Sequence, residues 1–402
     1  MSVSKRVTTI IILVAACTLI AASTWQLPYV SVAITATTLM CYAAIISRRP
    51  GIRALWVNLS VIVFLLGAAE CYFGVKEPLE RQMEYSEDFF AADDILGYKP
   101  AAARTITHRT YGKNDLLYDV SYTINADGLR LASQPKTETT HANSCLVFFG
   151  DSFTFGEGMA DDQTMPYQVW ERVGNNYQTV NFGFLGYGPH QMLAAIEDGR
   201  IASQGHCRPS HIVYQAIPNH VSRAAGLEAW DRHGPRYIMK PNGLVQLDGH
   251  FDDRSPATLQ EWLRATHHGL HPQIQTILGA SALYRTVLRS HRPVNAQDVA
   301  LFAAIVRTAK ESIATAFPDA KFHVIIWDFD NDAELVKQVQ AELRQLGVAI
   351  YPISTILPNF PATRARYEIS PYDLHPNAHA HAIIADFVAQ RLVNLSPDNS
   401  NH

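Results

Sequence analysis

Few residues in this chain can do chemistry on their own, and Ser152 is the first that can. The apolar run Leu146-Val147-Phe148-Phe149 ends in Gly150-Asp151-Ser152, followed by Phe153-Thr154-Phe155-Gly156. That pattern presents a serine hydroxyl at the end of a buried strand. A serine alone is a poor nucleophile near neutral pH; it needs a base within hydrogen-bond reach and a third group to orient that base. Far downstream, Asp373-Leu374-His375-Pro376-Asn377 supplies an acid and a base. The chemistry these types would do together is acyl transfer through Ser152, with His375 taking its proton and Asp373 holding the imidazole. Asp151 reads as structural, bonding the backbone of the turn.

These residues must be positioned by elements, and from Cys145 onward short apolar strands alternate with helices. Strands are expected over Leu146–Phe149, Gln178–Phe182, His211–Ile217, Phe322–Trp327 and Val348–Ile353. Helices are expected over Thr164–Val173, Pro189–Ser203, Ala296–Ala316, Ala333–Leu346 and His379–Leu392. Such alternation implies a parallel sheet covered on both faces. Ligands bind beyond the carboxyl ends of such strands. Ser152 follows the first strand, Asn181-Phe182-Gly183-Phe184-Leu185-Gly186-Tyr187-Gly188 the second, and Asn219 the third. Asp373 and His375 follow the fifth, after a loop of about twenty residues. All converge on one edge. An insertion over about 222–293, with a hairpin around Lys240-Pro241-Asn242-Gly243 and then helical segments, either shapes the substrate site or forms a purely structural cap.

With these blocks in place, the chain resembles the SGNH/GDSL hydrolase superfamily over about 145–393. The resemblance implies a flavodoxin-like, three-layer α/β hydrolase domain. It makes Ser152 the nucleophile, Asp373 and His375 its partners, and the backbone N–H groups of Ser152 and Gly186 with the Asn219 amide an oxyanion hole. Gly183 is the weaker alternative to Gly186. Two departures stand out: His220 follows Asn219 where the superfamily has aspartate, and Asp-x-His replaces the usual Asp-x-x-His. The resemblance requires no metal and no cofactor. It implies ester hydrolysis of an acyl group, acetyl by family habit, on an envelope glycan or lipid. Transfer of that acyl group to a glycan, or a non-catalytic glycan-binding module, are the alternatives.

The 402 residues carry a net charge of −4 with no long basic run, which gives no reason to expect a nucleic-acid partner. Residues 1–76 read as three transmembrane helices, Val7–Ser23, Pro28–Ile46 and Ala54–Val75. Lys5, Arg6, Arg48, Arg49 and Arg53 place the N-terminus and the second connection in the cytoplasm, so everything after Val75 faces the periplasm or cell exterior. A signal peptide cleaved near Ala21-Ala22-Ser23 is the alternative for the first stretch. Glu70 falls near the outer end of the third helix and reads as interfacial. The expected organisation is therefore a multi-pass inner-membrane anchor (1–76), a connector with short strands or a plain spacer (77–144), a hydrolase-like domain (145–395) and a tail (396–402). The bilayer is the partner this implies; no protein partner is legible. An exported domain permits a Cys145–Cys207 disulfide, subject to the Cα separation it requires. His379 and His381 read as exposed helix-start histidines, not metal ligands, and Asp328, Asp330 and Asp332 as a solvated loop.

Overall fold

The computed structural model describes residues 28–76, 81–112, 115–134, 144–174, 177–256, 258–289, 292–329, 333–360 and 362–393. The first apolar stretch, the tail, and Asp330 and Asp332 lie outside them. The chain divides into two compact units. One comprises Met1–Pro78 and Pro256–His291, the other Leu79–Ser255 and Arg292–His402.

In the larger unit, five strands form a parallel sheet: β1 (Ser144–Phe149), β2 (Gln178–Asn181), β3 (Arg208–Ala216), β4 (Lys321–Ile326) and β5 (Ile350–Pro352). Their order across the sheet is β5-β4-β3-β1-β2, the flavodoxin-like arrangement. Alternation along each strand sends side chains to opposite faces, and two separate cores result. Cys145, Val147 and Phe149 join Ile212, Val324 and the helices Pro189–Glu197 and Ala296–Ala316 on one face. Leu146 and Phe148 join Val213, Ile325 and the helices Met165–Val173 and Ala378–Phe387 on the other. The sheet is thus the middle of three layers. The helix expected over Pro189–Ser203 breaks at Gly199, whose φ of 69° is left-handed, and resumes at Arg200–Gly205.

Cys145, at the start of β1, and Cys207, just before β3, are joined by a disulfide with a Cα separation of 5.9 Å. The closed loop spans 62 residues, for which the chain-entropy argument gives about 4 kcal/mol. Replacing both cysteines by serine is expected to lower the unfolding free energy by up to about that amount. Denaturant titration under oxidising conditions checks it, and wild-type stability in the double variant would refute it.

The connector is not a spacer. Gln82–Tyr85, Arg104–Gly112 and Asp115–Ile124 form an antiparallel sheet with Arg104–Gly112 in the centre, and Phe90–Asp93 pairs with Gly97–Pro100 as a hairpin. Arg130 bridges both Ile124 and Asn181, stitching the connector to the edge of β2. Asp93, on the hairpin, takes both arms of the Arg200 guanidinium at 2.7 and 3.0 Å. Burial alone would raise its carboxyl, but the Arg200 hydrogen bonds outweigh that and hold it well below the usual range.

The segment expected as one insertion divides between the units. Pro235–Met239 and Val245–His250 form the hairpin and stay with the sheet, whereas residues 256–291 belong with the apolar helices. In that smaller unit two helices, Pro28–Ile46 and Pro50–Lys76, are long and apolar enough to cross a membrane. Neither gathers its apolar residues on one face.

Candidate active site

The turn after β1 is built for close approach. Gly150 has a φ of 154°, and a Cβ there would run into the Thr154 hydroxyl and the Gln215 carbonyl. Asp151 caps the short helix Ser152–Phe155, accepting from the Phe153 N–H at 3.0 Å. Its other oxygen takes Arg223 Nη1 at 2.9 Å and lies 3.3 Å from His220 Nε2. Fully buried, Asp151 would be raised by desolvation, yet His220 and Arg223 hold it well below the usual carboxylate range. His220 is itself pushed down to about 4 by burial, and its Nδ1 sits 2.6 Å from the Tyr214 hydroxyl. His220, directly after Asn219, therefore stands between the capping acid and Tyr214 of β3.

Ser152, at the first position of that helix, is buried. Its Oγ lies 2.8 Å from His375 Nε2, and His375 Nδ1 lies 2.6 Å from Asp373 Oδ1. Asp373 and His375 belong to a strand, Asp373–Pro376, paired with Glu368–Ser370 in a hairpin. On a strand, residues i and i+2 project to the same face. The shortened Asp-x-His spacing thus orients acid and base as required, with Leu374 pointing out to solvent.

Two further charged groups complete this cluster, and neither is in the motif blocks. Arg81, just ahead of the first connector strand, donates from Nη1 to Asp373 Oδ2 at 2.5 Å and to Glu157 Oε1 at 3.1 Å. Glu157 is buried five residues after the serine, and its Oε2 lies 3.2 Å from His375 Nε2. Two carboxylates therefore flank one imidazole, with a guanidinium between them. Burial would raise Asp373, but His375 and then Arg81 bring it down to about 2. Burial would lower His375, but Glu157 and then Asp373 outweigh it, and the imidazole is raised above its ordinary value. Glu157, Asp373 and His375 are close enough to suggest a cation site, but the Arg81 guanidinium already supplies the positive charge there.

The raised imidazole carries a consequence for pH. A histidine serving as base does so only when neutral, so activity resting on His375 would climb as pH rises through its pKa. Glu157→Gln removes the largest charge favouring the protonated form and should shift the acidic limb of kcat/KM to lower pH. Arg81 disfavours that form, so Arg81→Gln should shift the limb the other way. A pH–rate profile of each variant checks the pair, and shifts of the same sign would refute the assignment.

The residues expected to form an oxyanion hole are placed less uniformly. Asn181 Oδ1 accepts the Gly183 N–H at 2.9 Å, so that donor is taken. Gly186 has a φ of 77°, and a Cβ there would strike the Tyr98 hydroxyl and the Trp230 indole nitrogen. The N–H groups of Ser152 and Gly186 meet no acceptor among the described residues. Asn219 is exposed at the end of β3 and makes no capping bond, leaving its amide available. His381 departs from expectation. It is buried, not exposed, and its Nδ1 accepts the Met165 N–H at 3.0 Å; burial pushes it down to about 3.

Sequence reasoning also missed Arg130. Its guanidinium, buried against the rings of Tyr122 and Phe155, donates to the carbonyls of Phe155, Gly156 and Met159 at 2.5–2.8 Å and to Asp161 at 3.2 Å. It holds the loop that leads from the serine to Glu157. A signal existed: an arginine two residues after the Asp127-Gly128 turn, on an otherwise apolar approach.

No protein-family model matches the chain, and no curated protein matches it in sequence. Among solved structures it is similar to one described as "The active site of a carbohydrate esterase displays divergent catalytic and non-catalytic binding functions", at 12 % identity and TM-score 0.35, over 80 % of this chain and 99 % of that one. It is also similar to an acetyl xylan esterase, Est2A, from the rumen bacterium Butyrivibrio proteoclasticus, at 12 % identity and TM-score 0.34, over 64 % and 66 %. A GDSL-like lipase from Bacteroides thetaiotaomicron aligns at 12 % identity and TM-score 0.29, over 64 % and 90 %. Likeness at this level carries no functional argument, and the reading that follows rests on the geometry of the site.

Proposed function

We propose that the protein is a membrane-anchored serine esterase whose acyl-ester substrate belongs to the cell envelope. The observation that carries the reading is the continuous hydrogen-bonded line from Ser152 Oγ through His375 to Asp373, at 2.8 and 2.6 Å. In the reaction, His375 takes the Ser152 proton as Oγ attacks the ester carbonyl. Asp373 stabilises the imidazolium that forms, and Glu157 adds a second negative charge beside it. The N–H groups of Ser152 and Gly186 and the Asn219 amide receive the developing oxyanion, each such donor being worth roughly 3–4 kcal/mol in the transition state. His375 then returns its proton to the leaving alcohol, giving an acyl-Ser152 intermediate. Water resolves it in hydrolysis; a sugar hydroxyl would resolve the same intermediate in transfer.

The two apolar helices support the anchor, and the three arginines Arg48, Arg49 and Arg53 between and at the start of them support an extracytoplasmic catalytic unit. An acetylated glycan or lipid of the envelope is the substrate class we favour, through resemblance to the SGNH/GDSL hydrolases. The test is turnover of a short acyl ester together with fluorophosphonate labelling, in the wild type and in Ser152→Ala. Equal labelling and turnover in the two proteins would sink the assignment. Adding candidate glycans and following acylated product separates transfer from hydrolysis, and glycan binding without turnover would indicate a non-catalytic module.

A further inference from the structure

An acidic residue inside an apolar helix needs a partner, and Glu70 has an unusual one. Only 4 % exposed, it caps the helix Ala282–Arg289 from more than two hundred residues away. It accepts from the Ser281 hydroxyl at 2.7 Å and from the N–H groups of Ala282 at 2.6 Å and Leu283 at 3.1 Å. A carboxylate there satisfies donors that a helix start leaves open and meets the positive end of its dipole. On the other apolar helix, the Tyr29 hydroxyl donates to the Ile277 carbonyl at 2.5 Å. Residues 277–283 are thereby tied to both apolar helices at the same end, opposite the Arg48–Arg49 turn.

Their depth follows from helix geometry. Glu70 lies twenty residues after Pro50, about 30 Å at 1.5 Å per residue, which is the thickness of a bilayer's hydrocarbon core. Tyr29 stands in the first turn of the 19-residue helix Pro28–Ile46, which is about 28 Å long. Both ties therefore fall at the boundary between acyl chains and headgroups. Around them, residues 258–289 leave large apolar side chains uncovered at one-turn spacing. Leu259 and Trp262 are 68 % and 53 % exposed, and Ile274 and Ile277 are 45 % and 59 % exposed. A water-facing loop gains nothing from such a set, whereas an interfacial helix with a tryptophan does.

We propose that residues 258–289 form a platform seated in the outer headgroup layer, with Leu259, Trp262, Ile274 and Ile277 facing lipid. The inference rests on the reading that the two apolar helices cross a bilayer, and it is independent of catalysis.

The test uses the full chain in lipid nanodiscs, with Cys17, Cys41 and Cys71 replaced by serine and the disulfide retained. An environment-sensitive fluorophore is placed by Trp262→Cys, Ile277→Cys, Val61→Cys or Gln246→Cys, one at a time. Quenching by lipids carrying a nitroxide near the headgroup or deep in the acyl chain is then read. The platform predicts strong shallow quenching at 262 and 277, strong deep quenching at 61, and none at 246. Quenching at 61 with 262 and 277 behaving like 246 overturns the platform while leaving the membrane reading intact. Shielding from water at 262 and 277 without lipid quenching shows that protein covers them, and overturns it too. Absence of quenching at 61 overturns the membrane reading and the platform with it.

Discussion

Ser152→Ala is expected to lower turnover of a short acyl ester by roughly 10⁴–10⁶-fold while leaving the fold intact. The size follows from what is removed. Without Oγ no acyl-enzyme can form, and His375 and Asp373 are left orienting a proton acceptor with nothing to accept from. What survives is whatever the proposed oxyanion donors contribute to direct attack by water. The three groups act as a unit, so losses should not add. His375→Ala alone should cost nearly as much as His375→Ala combined with Ser152→Ala, and a double variant far worse than either single one would contradict the shared pathway. Ser152 is buried but its hydroxyl is small, so the alanine variant should unfold at the wild-type temperature. Loss of activity accompanied by loss of folding would leave the hydrogen-bonded line unsupported as a catalytic one.

Arg130→Met is the second large effect, and it falls on stability. The methionine keeps the apolar stem but leaves the Phe155, Gly156 and Met159 carbonyls without their donor and Asp161 without its ion-pair partner. Breaking a buried charged network from one side costs about 3–5 kcal/mol. Arg130→Lys should recover part of this, since an ammonium keeps the charge but cannot reach three carbonyls with a planar fork. Because those carbonyls flank Glu157 in the segment that follows Ser152, fluorophosphonate labelling should fall along with stability. Unchanged denaturant midpoints and labelling in Arg130→Met would refute the role.

The sheet was the most legible part of the chain. Leu146–Phe149 and Phe322–Trp327 are short apolar runs flanked by polar turns, and their length and flanks, not their period, mark them as buried strands. Ala296–Ala316 was readable because Val299, Phe302, Ala303 and Val306 mark one apolar face; the Asn295 cap is what the structure adds. Ser152, Asp373 and His375 could be brought together from strand ends alone. Arg81 and Glu157 could not. Each looks like an ordinary surface charge until the connector folds against the sheet, and only then do they share an imidazole. His381 misled for the same reason: a histidine in the first turn of a helix is usually wet, but here the neighbouring helix start supplies a donor that buries it. The membership of residues 256–291 was hidden because nothing in their own sequence names Glu70 as their cap.

The connector's part in the site bears on where a fragment carrying Ser152 and His375 could be cut. Arg81 touches the acid and the base, and Arg130 holds the loop beyond the serine. A soluble fragment cut at the first sheet strand, where the sequence blocks begin, would carry every motif residue and lack both arginines. A fragment that keeps the whole charged cluster around His375 must therefore begin ahead of Arg81.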